Sequence, residues 1–279
     1  MFNAISKSIS AVLLSSVLLA SCADKDKEAA SALYKEGEAA VAAHNYAGAL
    51  AVLDTLNARY PKQFDIRKAA LRVRAQAMEG MAIDSIAAGD QALAQATVNL
   101  DAIKPSFRHV DSSVGLEGYY LPVGVSEKVM MANTVQARVS DKGYFYIVAN
   151  VQGRAIGLNA IEFCAGSEAV TSSAISPSRI VKVEGSESAS FNPEDLVGVG
   201  QWLVDHPSAD KIVLIGSKGK VNVKMDKKLR NEIVDCYRFS EALQAHRTAS
   251  IKREKFERML ATARDQIANL PAPETENKD

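Results

Sequence analysis

The spacing of apolar residues changes twice along the chain. Between residues 29 and 108, apolar residues recur three or four positions apart, as in amphipathic helices. Between 112 and 225, short segments alternate apolar and polar residues, as in half-buried strands. Helical spacing returns from 226 to 270. The pattern predicts an α+β protein with N-terminal helical hairpins, a central, mainly antiparallel β domain, and a long C-terminal helix or helical hairpin.

Turn-forming residues divide the helical segments. In the first region, breaks are predicted at 44–46, 61–64 and 88–90, where His-Asn-Tyr, Pro-Lys-Gln-Phe and Ala-Gly-Asp occur. These breaks predict about three or four antiparallel helices joined by short connections. A further break is predicted near 248–250 in the C-terminal helix, and residues 271–279 are expected to form a disordered polar tail.

The β-rich domain begins with a predicted hairpin and contains one inserted helix. The two strands of the hairpin, 135–139 and 144–151, flank the turn signal Ser-Asp-Lys-Gly. A helix is predicted over 193–205, because Asn192 is a good N-cap and Pro193 suits the first helical turn. The remaining strands are expected near 157–163, 179–183, 211–215 and 220–224.

Aromatic residues are concentrated in this β-rich domain. Tyr144 and Tyr146 lie on one face of a predicted strand and Phe145 on the other, which is typical of a sheet packed on both sides. We therefore expect a core role for the group Tyr119, Tyr120, Tyr144, Phe145, Tyr146 and Phe163. A stacking platform for a sugar is the alternative.

Composition and charge exclude several classes of protein. The 279 residues include 33 basic and 33 acidic side chains and are 47% hydrophobic, which is typical of a globular chain and not of a disordered or polytopic membrane protein. A net charge of zero provides no field that attracts polyphosphate, so no nucleic-acid partner is expected. The oligomeric state stays open.

The first 22 residues have the pattern of a targeting signal. Lys7 precedes an apolar run over 11–20 that is too short to span a bilayer. Leu-Ala-Ser-Cys at 19–22 then resembles the lipobox of bacterial lipoproteins. The resemblance implies a signal peptide over 1–21, a diacylglycerol on the Cys22 thiol, further acylation at its amino group, and a short charged tether over 22–28. Several acyl chains anchor a protein stably in a membrane.

The lipobox also implies a location. Alanine follows Cys22, and by resemblance to lipoproteins of bacteria with two membranes this favours the outer membrane, on its periplasmic face or at the cell surface. The charged residues that follow resemble those of Bacteroidetes-type envelope lipoproteins. We therefore expect attachment to the cell envelope through the lipid anchor.

Part of the helical region, 29–108, resembles a tetratricopeptide repeat. The matching residues are Leu33, Gly37, Tyr46, Ala49, Leu53 and Pro61. The resemblance implies that Tyr34 and Glu38 lie on an inner helix and contact a bound segment. A second, imperfect unit can be placed over 65–105. Because so few repeats leave faces uncovered, an envelope protein partner or another part of the chain is expected to cover them.

The sequence contains no recognisable catalytic, cofactor-binding or metal-binding motif, and its four histidines lie in separate segments. Cys164 and Cys236 could pair in an oxidising envelope or remain as buried free thiols. The predicted function is therefore a non-catalytic protein–protein interaction or scaffold module without cofactors. Two alternatives are a glycan or small-ligand binding protein that uses the β domain, and a cell-wall hydrolase that uses Asp205 and His206.

Overall fold

A computed structural model describes residues 5–111, 117–127, 132–183 and 185–271, and their side chains from Asp24 onward except that of Val183. In this part of the chain the fold is mixed, with five α-helices and two antiparallel sheets. The chain divides into two compact units, one formed by Met1–Gln91 with Ser250–Asp279 and the other by Ala92–Ala249. Residues 92–108 and 226–249, assigned from the sequence to helical segments outside the β domain, therefore belong to the second unit.

The elements have the following bounds. The helices are α1 (Ile5–Ala42), α2 (Tyr46–Arg59), α3 (Phe64–Ile103), α4 (Val199–Asp205) and α5 (Lys227–Asn269). The strands are β1 (Phe107–Val110), β2 (Tyr119–Pro122), β3 (Thr134–Ser140), β4 (Phe145–Gln152), β5 (Leu158–Ala165), β6 (Glu168–Thr171), β7 (Ile180–Val183), β8 (Ser186–Phe191), β9 (Lys211–Gly216) and β10 (Gly219–Lys224). The sheet orders are β1-β2-β3-β4-β8-β7 and β10-β9-β5-β6.

In the first unit, α1 and α2 form a helical hairpin. The side-chain oxygen of Asn45 caps α2 by accepting a hydrogen bond from the Gly48 N–H at 3.1 Å. Leu53 and Leu56 of α2 are buried in a small apolar cluster with Ala30, Ala70 and Val73. The breaks predicted at 44–46 and 61–64 are confirmed, since α2 begins at Tyr46 and α3 begins at Phe64.

Several predicted interruptions are absent because the helices continue through them. Helix α3 is unbroken, so the break predicted at 88–90 is wrong, and the second repeat unit, which needs two helices, is not formed. A glycine inside a helix costs only about 1 kcal/mol relative to alanine, which a long helix tolerates at Gly89. Helix α5 likewise continues through 248–250, and residues 22–28, expected as a tether, are helical within α1.

In the second unit, the predicted β3–β4 hairpin is confirmed. Val139 pairs with Phe145, and the turn uses Gly143 in the left-handed region at φ 81°. Ser240 of α5 holds this turn: its hydroxyl accepts a hydrogen bond from the Phe145 N–H at 3.1 Å and donates one to the Gly143 carbonyl at 2.7 Å. The sheets and α5 share one apolar core, which includes the fully buried Phe163, Phe191 and Phe239.

The inserted helix is shorter than predicted, and Asn192 does not cap it. Helix α4 begins at Val199 and not at 193. The Asp195 carboxylate accepts a hydrogen bond from the Asn192 N–H and pairs with Arg179, each at 2.7 Å, which holds the preceding residues in a turn. The helix cannot extend back through Gly198, because this residue has a φ of 78° and a right-handed helix requires negative φ.

Among the described residues, none of the helices combines the length and the apolar character needed to span a bilayer.

Candidate functional site

The two residues predicted to face a partner, Tyr34 and Glu38, lie one turn apart on α1 and contact each other. The Tyr34 hydroxyl donates a hydrogen bond of 2.7 Å to the Glu38 carboxylate. The Tyr34 ring packs against the apolar cluster of the hairpin. Burial raises the pKa of Tyr34 to about 12, and the hydrogen bond to Glu38 adds to the shift because it favours the protonated phenol. Tyr34 is thus held in place, whereas Glu38 is exposed.

Glu38 lies at a cavity of about 460 Å³ that we call the helical groove. Its lining residues come from α1, α2 and α3 and are Glu38, Val41, Ala42, Tyr46, Val73, Gln76, Glu79, Gly80 and Ile83. Tyr46 at the start of α2 packs on Gly80, where any side chain would overlap the Tyr46 ring. The Tyr46 hydroxyl is also 2.7 Å from the Nδ1 atom of His44. A rigid aromatic ring therefore forms part of the groove wall.

The helical groove has both apolar and acidic groups. Ile83 is 46% exposed although it is a large apolar side chain. Of the two acidic lining residues, Glu79 is paired with Arg264 at 3.0 Å, and the carboxylate of Glu38 accepts the Tyr34 hydrogen bond. Apolar walls with a carboxylate at the edge suit a peptide segment that has apolar residues and a basic one.

The remaining cysteines are not brought into a reactive arrangement. Cys164 and Cys236 are both buried, and both are free thiols in the structure, so the disulfide that the sequence allows is not formed there. Burial raises the pKa of each thiol. A raised pKa keeps a thiol protonated and poorly nucleophilic. The thiol of Cys22, the predicted lipidation site, lies outside the residues whose side chains are described.

Asp205 and His206, the pair considered for a hydrolase, have separate structural partners. The Asp205 carboxylate accepts a hydrogen bond from Gln201 at 2.9 Å. The two ring nitrogens of His206 lie 2.8 Å from the Trp202 carbonyl oxygen and 2.9 Å from the Glu168 carboxylate. Both ring nitrogens of His206 therefore contact groups other than the Asp205 carboxylate. Within the described residues, no group of three or more histidine, cysteine or acidic side chains could hold a metal ion.

A second cavity, also about 460 Å³, lies on the six-stranded sheet, and we call it the tyrosine groove. Its lining residues are Glu117, Gly118, Ser140, Tyr144, Tyr146, Ser190, Asn192, Pro193 and Glu194. The core role predicted for the aromatic residues is confirmed for Phe145 and Phe163 but is wrong for Tyr144, which is 46% exposed. The sequence showed that Tyr144 and Tyr146 share a face, but not that this face lies open.

Comparison with family models, with curated proteins and with solved structures finds no match for this chain. Inferences about its function therefore rest on the geometry of its own residues.

Proposed function

We propose that this chain is a lipid-anchored protein of the bacterial envelope that acts, without catalysis, as a protein–protein interaction or scaffold module. The observation that carries the proposal is the helical groove, in which exposed Ile83 and exposed Glu38 line the same cavity. An apolar side chain and a carboxylate at one concave surface are features of a peptide-binding site.

Two features of the hairpin that forms this groove support the proposal of a tetratricopeptide-like unit. A Cβ atom on Gly37 would lie 2.8 Å from Leu53, so the two helices approach each other closely at this position. Ala49 on α2 is fully buried. We therefore propose that α1 and α2 form one such unit and that α3 supplies the third wall of the groove in place of a second hairpin.

The proposed occupant is a segment of an envelope protein that carries apolar residues and at least one lysine or arginine. Its apolar residues would contact Val73 and Ile83, and its basic side chain would pair with Glu38. Such a pair at a solvated rim adds on the order of 1 kcal/mol or less, so most of the affinity would come from apolar contacts and specificity from the charge.

The membrane anchor proposed at Cys22 rests on the lipobox-like sequence at 19–22. It is tested by membrane fractionation of cells that express the wild type or the Cys22→Ser variant. Wild-type chain should sediment with membranes and carry acyl chains by intact-mass measurement. The variant should be unacylated and should remain in the supernatant after the membranes are sedimented. If it sediments as wild type does, the anchor proposal is wrong.

The groove is tested by site-specific photocrosslinking in living cells. A photoreactive amino acid at position 38 should give a discrete adduct whose crosslinked peptide, sequenced by mass spectrometry, contains apolar and basic residues. The same probe at exposed position 36 is the matched control and should not give it. The adduct should be lost in the Ile83→Lys variant, which puts a charge on the groove wall. An equal adduct from both positions, or one that survives Ile83→Lys, would argue against the groove.

A further inference from the structure

The outer face of the six-stranded sheet carries polar and aromatic side chains that the helical groove does not involve. Along β8 the burial alternates, so that Ser186, Ser188 and Ser190 lie on the more exposed face while Glu187 and Phe191 are buried. On the adjacent β4, Tyr146 lies on the same open side, while Phe145 and Ile147 face the core. An open sheet face of this kind can bind a ligand along its length.

The two tyrosines of the tyrosine groove lie side by side. Tyr144 immediately precedes β4 and Tyr146 is the second residue of that strand. Residues two positions apart in extended backbone are about 7 Å apart, and both tyrosines line the cavity. Tyr146 pairs across the strands with Arg138, whose guanidinium lies 4.2 Å from the centre of the neighbouring Tyr119 ring. The tyrosine pair therefore forms a platform and does not surround a ligand group as an aromatic cage does.

Hydrogen-bonding groups surround this platform. The Asn192 amide donates to the Glu194 carboxylate at 3.3 Å, and both line the cavity. The carboxylate of Glu117 is held by Lys142, with contacts of 3.0 Å from both the backbone and the side-chain nitrogen. Glu194 and Asn192 thus offer an acceptor and a donor beside the rings, while the charge of Glu117 is balanced.

These features favour one class of ligand. The Glu194 carboxylate beside the cavity opposes an anion, and side-by-side rings do not enclose a quaternary ammonium group as an aromatic cage does. An open cavity of about 460 Å³ has the size typical of small-ligand sites. Sugar rings offer an apolar face for aromatic contact and hydroxyl groups for carboxylate and amide hydrogen bonds.

We propose that the tyrosine groove binds a neutral saccharide unit of a glycan, stacked on Tyr144 and Tyr146 and hydrogen-bonded to Asn192 and Glu194. This site is separate from the helical groove, so either proposal can fail without the other. Because the groove is open, we expect a dissociation constant on the order of 1 mM for a short oligosaccharide.

The test is an NMR titration of the Cys22→Ser chain with neutral disaccharides of hexoses and of N-acetylhexosamines, and with choline as the cationic comparison. A neutral disaccharide should shift signals of the tyrosine groove in a saturable way. Tyr144→Ala should weaken binding about tenfold, whereas Tyr144→Phe should retain it. Val181→Ala is the matched control, because Val181 is 60% exposed on the neighbouring part of the same sheet and lines no part of the groove.

The Glu194→Gln variant separates the ligand classes. Binding of a neutral sugar should fall only a few-fold, since the amide still accepts a hydrogen bond, whereas binding of a cation should be lost. The proposal is overturned if no disaccharide binds, if Tyr144→Ala binds as well as Val181→Ala does, or if choline binds more tightly than the sugars and requires Glu194.

Discussion

The ring of Tyr46 occupies the space that a side chain on Gly80 would fill. This contact joins α2 to α3 in the first unit and forms part of the wall of the helical groove. The groove therefore depends on a glycine in the middle of a long helix, where glycine is otherwise unfavourable.

Substitution of Gly80 by alanine should destabilise the protein, although the same substitution normally stabilises a helix. Gly→Ala inside a helix normally stabilises by up to about 1 kcal/mol, but here the added methyl group overlaps the Tyr46 ring. We expect Gly80→Ala to lower the free energy of unfolding by about 1–3 kcal/mol, measured by urea denaturation followed by circular dichroism.

Gly89→Ala on the same helix is the control for this prediction. The nearest atoms to a Cβ at Gly89 belong to Arg253 and lie at 3.8 and 3.9 Å, an ordinary contact distance. This variant should be neutral or more stable than wild type. Equal effects of the two substitutions would show that Tyr46 does not pack on Gly80.

Glu187 should contribute strongly to stability because it holds the loop before β5. Its buried carboxylate accepts hydrogen bonds from the N–H groups of Ile156 at 2.7 Å, Gly157 at 3.2 Å and Leu158 at 3.0 Å. Glu187→Ala leaves these donors without a partner and should cost about 3 kcal/mol or more. Fluorescence of Trp202, the one tryptophan of the chain, reports unfolding of this unit.

Glu168→Ala is the control for Glu187. The Glu168 side chain is 68% exposed and pairs with His206, so its loss should change stability by about 0.5 kcal/mol or less. Glu187→Gln keeps one acceptor oxygen and should fall between the two. A Glu187→Ala variant as stable as Glu168→Ala would contradict the hydrogen-bonding role.

Tyr34 should titrate near pH 12, above its ordinary value of 10.0. Because the folded pKa is raised, the unfolded chain loses this proton first, and the free energy of unfolding should fall as pH rises from 10.0 to about 12. Glu38→Gln should bring the pKa of Tyr34 closer to 10.0, since it removes a charge that opposes ionisation. NMR of labelled tyrosine ring carbons measures this titration, and Glu36→Gln, which should leave it unchanged, is the control.

Cys164 and Cys236 should resist alkylation until the protein unfolds. Both thiols are buried and free, and burial raises the pKa of each. In the Cys22→Ser variant, iodoacetamide without reductant should modify neither thiol quickly in the native state and both in denaturant, as mass spectrometry can show. Absence of modification even in denaturant would indicate the disulfide instead.

The ends of α2 and the β3–β4 hairpin could be predicted because local sequence specifies them. Asn45 and Pro61 mark the ends of α2, and Gly143 marks the β3–β4 turn, through capping and backbone preferences that involve neighbouring residues only. Strands β1, β2, β6 and β8 were not predicted. In β8 the sequence Ser-Glu-Ser-Ala-Ser-Phe lacks the usual apolar residues, and it becomes a strand through pairing with β4 on one side and β7 on the other.

By itself the sequence determined the mixed fold class, the helical hairpin and the shared face of Tyr144 and Tyr146, because periodicity and turn chemistry act over a few residues. Only the tertiary structure decided that Tyr144 is exposed, that Glu187 is buried among backbone donors, and that Gly80 accommodates Tyr46. Each of these depends on what another segment, distant in sequence, places against the residue. Long-range packing therefore sets which of the predicted faces form grooves and which form core.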